Sequence, residues 1–283
     1  MILPYELLLQ HRACTFRTAP GRRIASVDEA VAYLDERGFF FFYPIKTVLL
    51  PSLWVAVAGD RPVPDEHDDP GHVTWSWKDS LLGKRRWYYG RVLRKRNMFI
   101  SLQMLPHFYA LSPNYGDYRE DYLIDYEQGQ LTQEAKQVYE ALLKEGPLDS
   151  IALRKSARLM GSESAYNRAL DELQRTFRIL PVGIADAGAW HYSFIWDIVA
   201  RHYPDLVERA HPISEYQARR ALIERYLDAL GAAQVKDIQR LFGWELSTVE
   251  HEVKKLEEAG VIQSGVEIEG QKGTWLVHSS LAK

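Results

Sequence analysis

A basic segment at residues 84–96, KRRWYYGRVLRKR, has the side chains needed to contact a polyanion. Its cations, without any acid among them, are Lys84, Arg85, Arg86, Arg91, Arg94, Lys95 and Arg96. The aromatic residues Trp87, Tyr88 and Tyr89 interrupt these charges. Guanidinium groups neutralise phosphates and aromatic rings stack on bases, so the segment predicts a nucleic-acid contact surface. The alternative is a solvated pair of strands whose arginines pair with the acidic stretch at residues 117–127.

A second unusual stretch, GFFFFYP at residues 38–44, places five aromatic rings in succession. Consecutive large apolar residues are most often buried, which favours a packed aromatic wall. Two alternatives stay open, a wedge that stacks on bases and an active site that uses Asp35 or Glu36. The stretch follows a helix predicted from about Val27 to Arg37, because Ser26 and Glu29 have capping-box spacing and Gly38 stops the pattern.

The second half of the chain contains a repeat. Helical patterns begin at Leu131 and are followed by an alternating hairpin pattern, and the same order recurs from Ser214. The copies share R-L-M-G at 158–161 with R-L-F-G at 240–243, and G-A-W at 188–190 with G-T-W at 273–275. Three helices closed by a hairpin predict a winged helix in each copy.

The third helix of a winged helix commonly enters the major groove, so the first copy contains candidate DNA contacts. Its polar residues on that helix are Ser162, Ser164, Tyr166, Asn167, Arg168 and Arg175. In the second copy the same helix contains Glu250, Glu252, Glu257 and Glu258 against Lys254 and Lys255. The excess of acids on this helix predicts that the second copy binds DNA poorly. Either copy could instead be a structural or protein-docking module.

The remaining composition narrows the class of protein. The net charge of -3 argues against wholesale attraction to nucleic acid, so a local concentration of charge must provide it. The sequence has no apolar stretch long enough to cross a bilayer, so we expect no membrane partner. It has one cysteine, Cys14, and its start does not resemble a secretory signal, so we expect a cytoplasmic protein.

No metal or cofactor is expected. An acidic loop contains Asp65, Glu66, His67, Asp68, Asp69 and His72, which could bind a hard divalent ion. Because no second cluster completes a ligand set, an exposed loop is the favoured interpretation.

The predicted fold class is α+β and mostly helical, with tandem winged-helix domains around a DNA-binding face. The predicted organisation is a degenerate winged-helix-like domain at 1–112, an acidic tyrosine-rich linker at 113–130, a winged helix at 131–197, a connector at 198–213 and a winged helix at 214–283.

Residues 74–111, followed by tandem winged helices, resemble the AlkZ/YcaQ-type winged-helix DNA glycosylases. The W-x-W-K-D stretch at 75–79 and the W-Y followed by basic residues from Trp87 are the basis of the likeness. The resemblance implies several winged helices around a concave, basic DNA-binding face. Characterised members remove alkylated bases or unhook crosslinks, using a Gln-x-Gln or Gln-x-Asp motif just after an early helix.

On this chain that motif falls within residues 38–44, at Phe41 and Tyr43. Base excision needs a polar group that positions or deprotonates water and stabilises positive charge on the sugar. Phenylalanine has no such group, and a tyrosine hydroxyl is a weak base at neutral pH. The catalytic residues are therefore unknown, and catalysis does not carry over with the resemblance.

We expect a noncatalytic DNA-binding protein whose partner is double-stranded DNA, including damaged DNA. One alternative is a glycosylase for alkylated or crosslinked bases with relocated catalytic residues. A further alternative is a transcriptional regulator or a module that docks proteins, although no protein partner can be named from the sequence.

The density of arginines in the basic segment generates a first prediction. Replacing Arg91 and Arg94 with Ala should weaken duplex binding, because each lost phosphate contact reduces the log–log salt slope by roughly 0.9. The measurement is duplex affinity over a salt series. An unchanged affinity and slope would contradict the assignment.

Overall fold

The computed structural model describes residues 2–114 and 116–281 and has the predicted mixed α+β architecture. It begins with strand β1 (Ile2–Leu3) and helix α1 (Tyr5–Thr15). The first unit comprises α2 (Val27–Arg37), β2 (Phe39–Phe41), α3 (Leu53–Ala58), a 3₁₀ turn (Pro70–His72), α4 (Val73–Leu81), β3 (Tyr88–Gly90) and β4 (Met98–Ile100). None of the helices in the described residues is long and apolar enough to span a bilayer.

Helices α5 (Leu105–Tyr109) and α6 (Asp121–Glu127) precede the second unit. That unit comprises α7 (Gln133–Glu145), β5 (Leu148–Asp149), α8 (Ser150–Ser156), α9 (Glu163–Arg175), β6 (Ile179–Ala185) and β7 (Ser193–Ile198). Helices α10 (Val199–His202) and α11 (Leu206–Ala210) then lead to the third unit. It comprises α12 (Glu215–Leu230), β8 (Ala232–Ala233), α13 (Val235–Phe242), α14 (Leu246–Glu258), β9 (Ile262–Ile268) and β10 (Trp275–His278).

The three units have the same order of elements and the same strand pairing. Each contains a helix, a short strand, two helices and a two-stranded hairpin. In each sheet the last strand lies between the other two, giving the orders β2-β4-β3, β5-β7-β6 and β8-β10-β9. The first unit, which the sequence marks only as degenerate, therefore shares the arrangement of the two repeated copies.

Helix α2 spans the predicted range because its ends are specified locally. Ser26 Oγ accepts a hydrogen bond from the Glu29 N–H at 3.2 Å, and the Glu29 carboxylate accepts one from the Ala25 N–H at 2.9 Å. Gly38 ends the helix with a φ of 82°, a left-handed conformation that favours glycine. A Cβ at this position would also lie 2.9 Å from Met104 Cγ.

The second helix of the first repeated copy is shorter than its sequence pattern indicates. Helix α8 ends at Ser156, because Arg158 adopts a left-handed φ of 58° and breaks the helical path. The Arg154 guanidinium then donates to the carbonyls of Leu159 and Met160 at 3.0 and 2.8 Å. These bonds hold the turn that leads into α9.

The start of the chain packs on the third unit. Strand β1 lies parallel to β9, with Ile2 opposite Glu267. The Arg12 guanidinium donates to the carbonyls of Leu230 and Ala232 at 3.0 and 2.9 Å. Residues 2–15, which the sequence places in the domain at 1–112, thus complete the C-terminal unit, since β9 presents an open edge to β1.

The aromatic strands of the first unit supply side chains to two different cores. Phe39 and Phe41 lie in a core with Tyr88, Met98 and Ile100, and this core continues into residues 199–210 and the third unit. The alternate residues face the other way, into a core with α2: Phe40, Phe42, Trp87, Tyr89 and Phe99. This alternation follows from the period of two residues along a strand. The first sheet is therefore buried on both faces.

The predicted acidic linker contains a buried ion cluster. The Arg178 guanidinium donates to Asp121 Oδ1 and to Asp125 Oδ2, each at 2.6 Å, and all three side chains are buried. Two of the acids at 117–127, Asp121 and Asp125, therefore pair with an arginine of the second unit. The structure shows no ion pair between that stretch and the basic segment in residues 2–114 and 116–281, so the pairing considered in the sequence is wrong.

Phe99 generates a stability prediction, because it lies at the centre of the aromatic core. Its ring centroid is 4.7 Å from that of Trp87, 5.1 Å from Tyr89 and 5.7 Å from Phe40. We expect Phe99→Ala to lower the free energy of unfolding by about 3–5 kcal/mol, while Phe99→Leu loses less than about 1.5 kcal/mol. Urea denaturation measures both variants. An alanine variant as stable as the leucine variant would contradict the packing argument.

Candidate nucleic-acid interface

The GFFFFYP stretch is an aromatic wall, as the sequence favours. Phe39, Phe40, Phe41 and Phe42 are each no more than 1% exposed, so none of these four rings is available to stack on a base. Tyr43 is half-buried, and its hydroxyl accepts a hydrogen bond from Trp75 Nε1 at 2.6 Å. Burial raises the pKa of Tyr43, and the hydrogen bond from Trp75 opposes that rise. The hydroxyl therefore stays protonated at neutral pH.

A cleft of about 570 Å³ opens beside this wall. We call it the cationic cleft; it is lined by Phe42, Tyr43, Pro44, Ile45, Lys46, Thr47, Arg91, Lys95, Arg96 and Asn97. Four of these residues are basic and none is acidic. Among the described residues, the side chains of Lys46, Lys95 and Arg96 form no ion pair. Their charges are therefore free to attract an anion.

Arg91 is the most constrained cation of the cationic cleft. Its Nε donates to Asn97 Oδ1 at 3.1 Å and its Nη1 donates to Asp171 Oδ1 at 2.9 Å. The main-chain N–H of Arg91 also donates to Gln174 Oε1 at 3.2 Å. Since Asp171 and Gln174 belong to α9, these bonds fix the hairpin of the first unit against the second unit. Arg91 thus connects the basic segment to helix α9, which the sequence predicts as two separate DNA-contacting surfaces.

The structure divides the predicted basic segment into two groups. Lys84, Arg85 and Arg86 precede β3, whereas Arg91, Arg94, Lys95 and Arg96 lie in the turn that follows it. Arg86 pairs with Asp28 of α2 at 3.1 Å. Arg85 lies near His202, where burial, aided by the Arg85 charge, lowers the pKa of the imidazole. The two groups occupy opposite ends of a strand; Arg91, Lys95 and Arg96 of the second group line the cationic cleft, whereas Arg94 and the first group do not.

The aromatic residues within the basic segment do not contact bases. Trp87, Tyr88 and Tyr89 are 2%, 0% and 5% exposed and pack in the two cores of the first unit. The interleaving of rings and cations reflects a buried strand with charged ends. The stacking function that the sequence suggests for these three rings is therefore wrong.

The exposed face of α9 lies beside the basic turn. Ser164, Asn167, Arg168 and Arg175 are exposed, and Arg168 Nη1 donates to Ser164 Oγ at 3.2 Å. Arg168 and Arg175 line a cleft of about 210 Å³ together with Lys95. Arg94 lies on another side of Arg175, where both line a cleft that includes Trp244. The structure thus brings the predicted cations of the turn in the first unit next to the predicted polar face of α9 in the second unit.

Tyr166 is a correction to this predicted set. It is 4% exposed and packs in the core of the second unit, because residues 165, 166, 169, 170 and 173 form the buried stripe of α9. It cannot contact DNA from the exposed face of the helix.

The sequence missed a buried cluster around Lys78. Lys78 Nζ donates to the Tyr192 hydroxyl at 2.7 Å and lies 2.7 Å from Asp79 Oδ1. It also lies 4.3 Å from the centroid of the Trp75 ring. Burial lowers the pKa of Lys78, while Asp79 opposes that change. The W-x-W-K-D spacing was a signal for this cluster, but its partner Tyr192 lies in a distant hairpin. The sequence also missed Lys46 and Asn97 of the cationic cleft, because their neighbours in the cleft are distant in sequence or belong to another element.

The two acids considered as replacement catalysts do not line the cationic cleft. Asp35 is exposed on α2, where burial raises the pKa of its carboxyl and Arg86 opposes the rise. Glu36 accepts hydrogen bonds from Arg17 and Arg37. In the acidic loop, Asp69 accepts from Arg61 at 2.6 Å and from the Gly71 N–H at 2.7 Å, so its oxygens are already occupied.

The fold and the cationic cleft define a mixed α+β protein with a local surface suited to a polyanion. Residues 24–243 match the AlkZ-related family, and the chain belongs to that family. A solved structure of similar fold is the Streptomyces sahachiroi DNA glycosylase AlkZ, with a TM-score of 0.63 and 13% sequence identity over 100% of this chain and 71% of that chain. At this identity the likeness concerns the fold alone. No curated protein matches the sequence.

The division of the basic segment generates a prediction with an internal control. The Lys95→Ala/Arg96→Ala variant should lower the log–log salt slope of duplex binding by about 1.8, which corresponds to two lost phosphate contacts. The matched Lys84→Ala/Arg85→Ala variant should change it by much less, since these residues lie outside the cationic cleft. Fluorescence anisotropy over a salt series measures both. Equal losses in the two variants would contradict the division.

Proposed function

We propose that this protein binds duplex DNA, including damaged duplex, and does not excise alkylated bases through residues 41 and 43. The observation that supports the proposal most directly is the cationic cleft, which has four basic residues and no acid in its lining. Among the described residues, three of the four, Lys46, Lys95 and Arg96, form no ion pair and are available to phosphate oxygens. The protein as a whole has a net charge of -3, so the positive charge of the cationic cleft is a local feature and not a property of the whole surface.

The arrangement of the three units supports a grooved nucleic acid as the ligand. Their shared order of helices and strands supports an assignment of winged helices, in which the third helix commonly enters the major groove. In the second unit this helix is α9, whose exposed Asn167, Arg168 and Arg175 would face the duplex. In the third unit it is α14, where Glu250, Glu257 and Glu258 are exposed, so we assign that unit no DNA contact.

The chemistry at the family motif supports the absence of excision. Phe41 is fully buried and cannot approach a sugar or a water molecule. Tyr43 reaches the cationic cleft, but its hydroxyl is bonded to Trp75 and its pKa is raised. A base that stays protonated cannot activate water, and the surrounding cations would oppose the positive charge that develops on the sugar.

A glycosylase with relocated catalytic residues is the second candidate, because the chain belongs to the AlkZ-related family and shares a fold with a DNA glycosylase. Asp171 is the carboxylate best placed for this role. It is partly exposed beside the cationic cleft, 2.9 Å from Arg91.

The prediction is binding without excision. Purified protein incubated with duplex containing alkylated purines should retain the DNA in a mobility-shift assay and produce no abasic sites above the protein-free control. The loss of one catalytic group commonly reduces a rate by about 10²- to 10⁴-fold. A characterised AlkZ-type glycosylase serves as the positive control.

Release of free base at an enzyme-like rate would overturn the noncatalytic proposal. In that case Asp171→Asn tests the second candidate, with Asp205→Asn as a matched substitution at an exposed ion pair elsewhere. Loss of excision only in the Asp171 variant, with its duplex affinity unchanged, would assign the base. Failure to bind any duplex at low salt would refute both candidates and favour a protein-docking role.

A further inference from the structure

A second cleft, of about 520 Å³, shares Arg91 and Asn97 with the cationic cleft. We call it the aromatic cleft, and we propose that it receives a single unpaired nucleobase from a DNA strand bound along the cationic cleft. This inference rests on the proposed DNA-binding function and extends it to the kind of DNA that the protein prefers.

Aromatic rings form much of the lining of the aromatic cleft. Tyr89, Tyr166 and Trp196 are each about 95% buried, so the positions of their rings are set by packing. Phe194 lies among them, with its ring centroid 6.4 Å from that of Tyr89 and 5.7 Å from that of Trp196. Phe194 is the one of these four rings that is partly exposed, and Tyr89 and Trp196 pack against it. Every base has a π face, so Phe194 can stack on a base of any identity, whereas the three buried rings only fix its position.

A polar group with unused hydrogen-bonding capacity lies in the same lining. Among the described residues the exposed Asn167 amide makes no hydrogen bond. Ser150 Oγ is already used, since it accepts from Trp196 Nε1 at 2.9 Å and donates to the Phe194 carbonyl at 3.2 Å. A side-chain amide supplies both donors and an acceptor, as the edge of a base requires.

The size and the position of the aromatic cleft favour a base over a larger ligand. Its volume is within the range of about 300–1,000 Å³ that is typical of sites for small organic groups. Ile151 and Met160 are 44% and 55% exposed, so part of the lining is open to solvent. Arg91 belongs to both clefts, so a phosphate held by Arg91 would place its neighbouring base at the aromatic cleft. An unpaired base also avoids the cost of breaking a pair, which selects for damaged or mismatched sites.

The test compares two duplexes that differ in one place. One is fully paired, and the other has an orphan base opposite an abasic site. We expect the wild-type protein to bind the orphan-base duplex on the order of tenfold more tightly, as stacking of one base provides. The Met160→Trp variant fills the cleft with an indole and should reduce this preference towards one, without changing the affinity for the paired duplex or its salt slope. Met160→Leu is the matched control and should keep the preference.

The outcomes separate this inference from the proposed function. Binding of the paired duplex without a preference for the orphan base would overturn the inference and leave the proposed function intact. A preference that Met160→Trp does not reduce would also overturn it, because the base would then bind elsewhere. If no duplex binds, the proposed function fails, and titration with a single-stranded tetranucleotide decides the inference: binding that Met160→Trp removes supports the cleft, and any other result refutes it.

Discussion

Strand β2 is buried on both faces, and this constraint determines most of what the molecule can do. Antiparallel sheets commonly expose one face to water, which would leave alternate residues of the aromatic run accessible. Here Phe39 and Phe41 pack into the core shared with the third unit, whereas Phe40 and Phe42 pack against α2 and β4. The aromatic run is long because the residues of this one segment alternate between two hydrophobic cores, and each core takes two of the four phenylalanine rings. Tyr43 is the first of its residues to reach solvent, because the strand has ended at Phe41.

The same sheet positions the cations. Strands β3 and β4 are three residues each, so the turn between them begins immediately at Arg91. Arg94 and Lys95 have φ values of 57° and 54°, a left-handed conformation that a tight turn requires. Their side chains therefore lie outside the sheet, in the space between the first unit and α9. Arg91, which is bonded to Asp171 and Gln174, lines both the cationic cleft and the aromatic cleft.

The features specified by local sequence were predictable. Helix α2 has a serine cap and a terminal glycine, and the two repeated units have periodic apolar faces that mark their helices. The first sheet was not predictable, because Phe41 and Tyr88 are brought together across two helices and a long acidic loop. The pairing of β1 with β9 and the burial of Tyr166 also depend on contacts distant in sequence. The basic segment shows the limit clearly: its composition identified the cations, but only the strand between them explains why the rings are buried and the charges divided.

In the proposed function, binding and excision would depend on different parts of this architecture, so a loss of excision at residue 41 need not abolish binding. A catalytic residue at position 41 would have to be polar, yet that side chain packs with Met98 and other apolar groups of a core that joins the first unit to the third. A glutamine there would be buried without a partner, at a cost of about 1–3 kcal/mol in addition to the lost packing. A polar catalytic group at residue 41 would therefore lower the stability of this core. The cations of the turn have no such conflict, because Lys95 and Arg96 are exposed and the core does not depend on them.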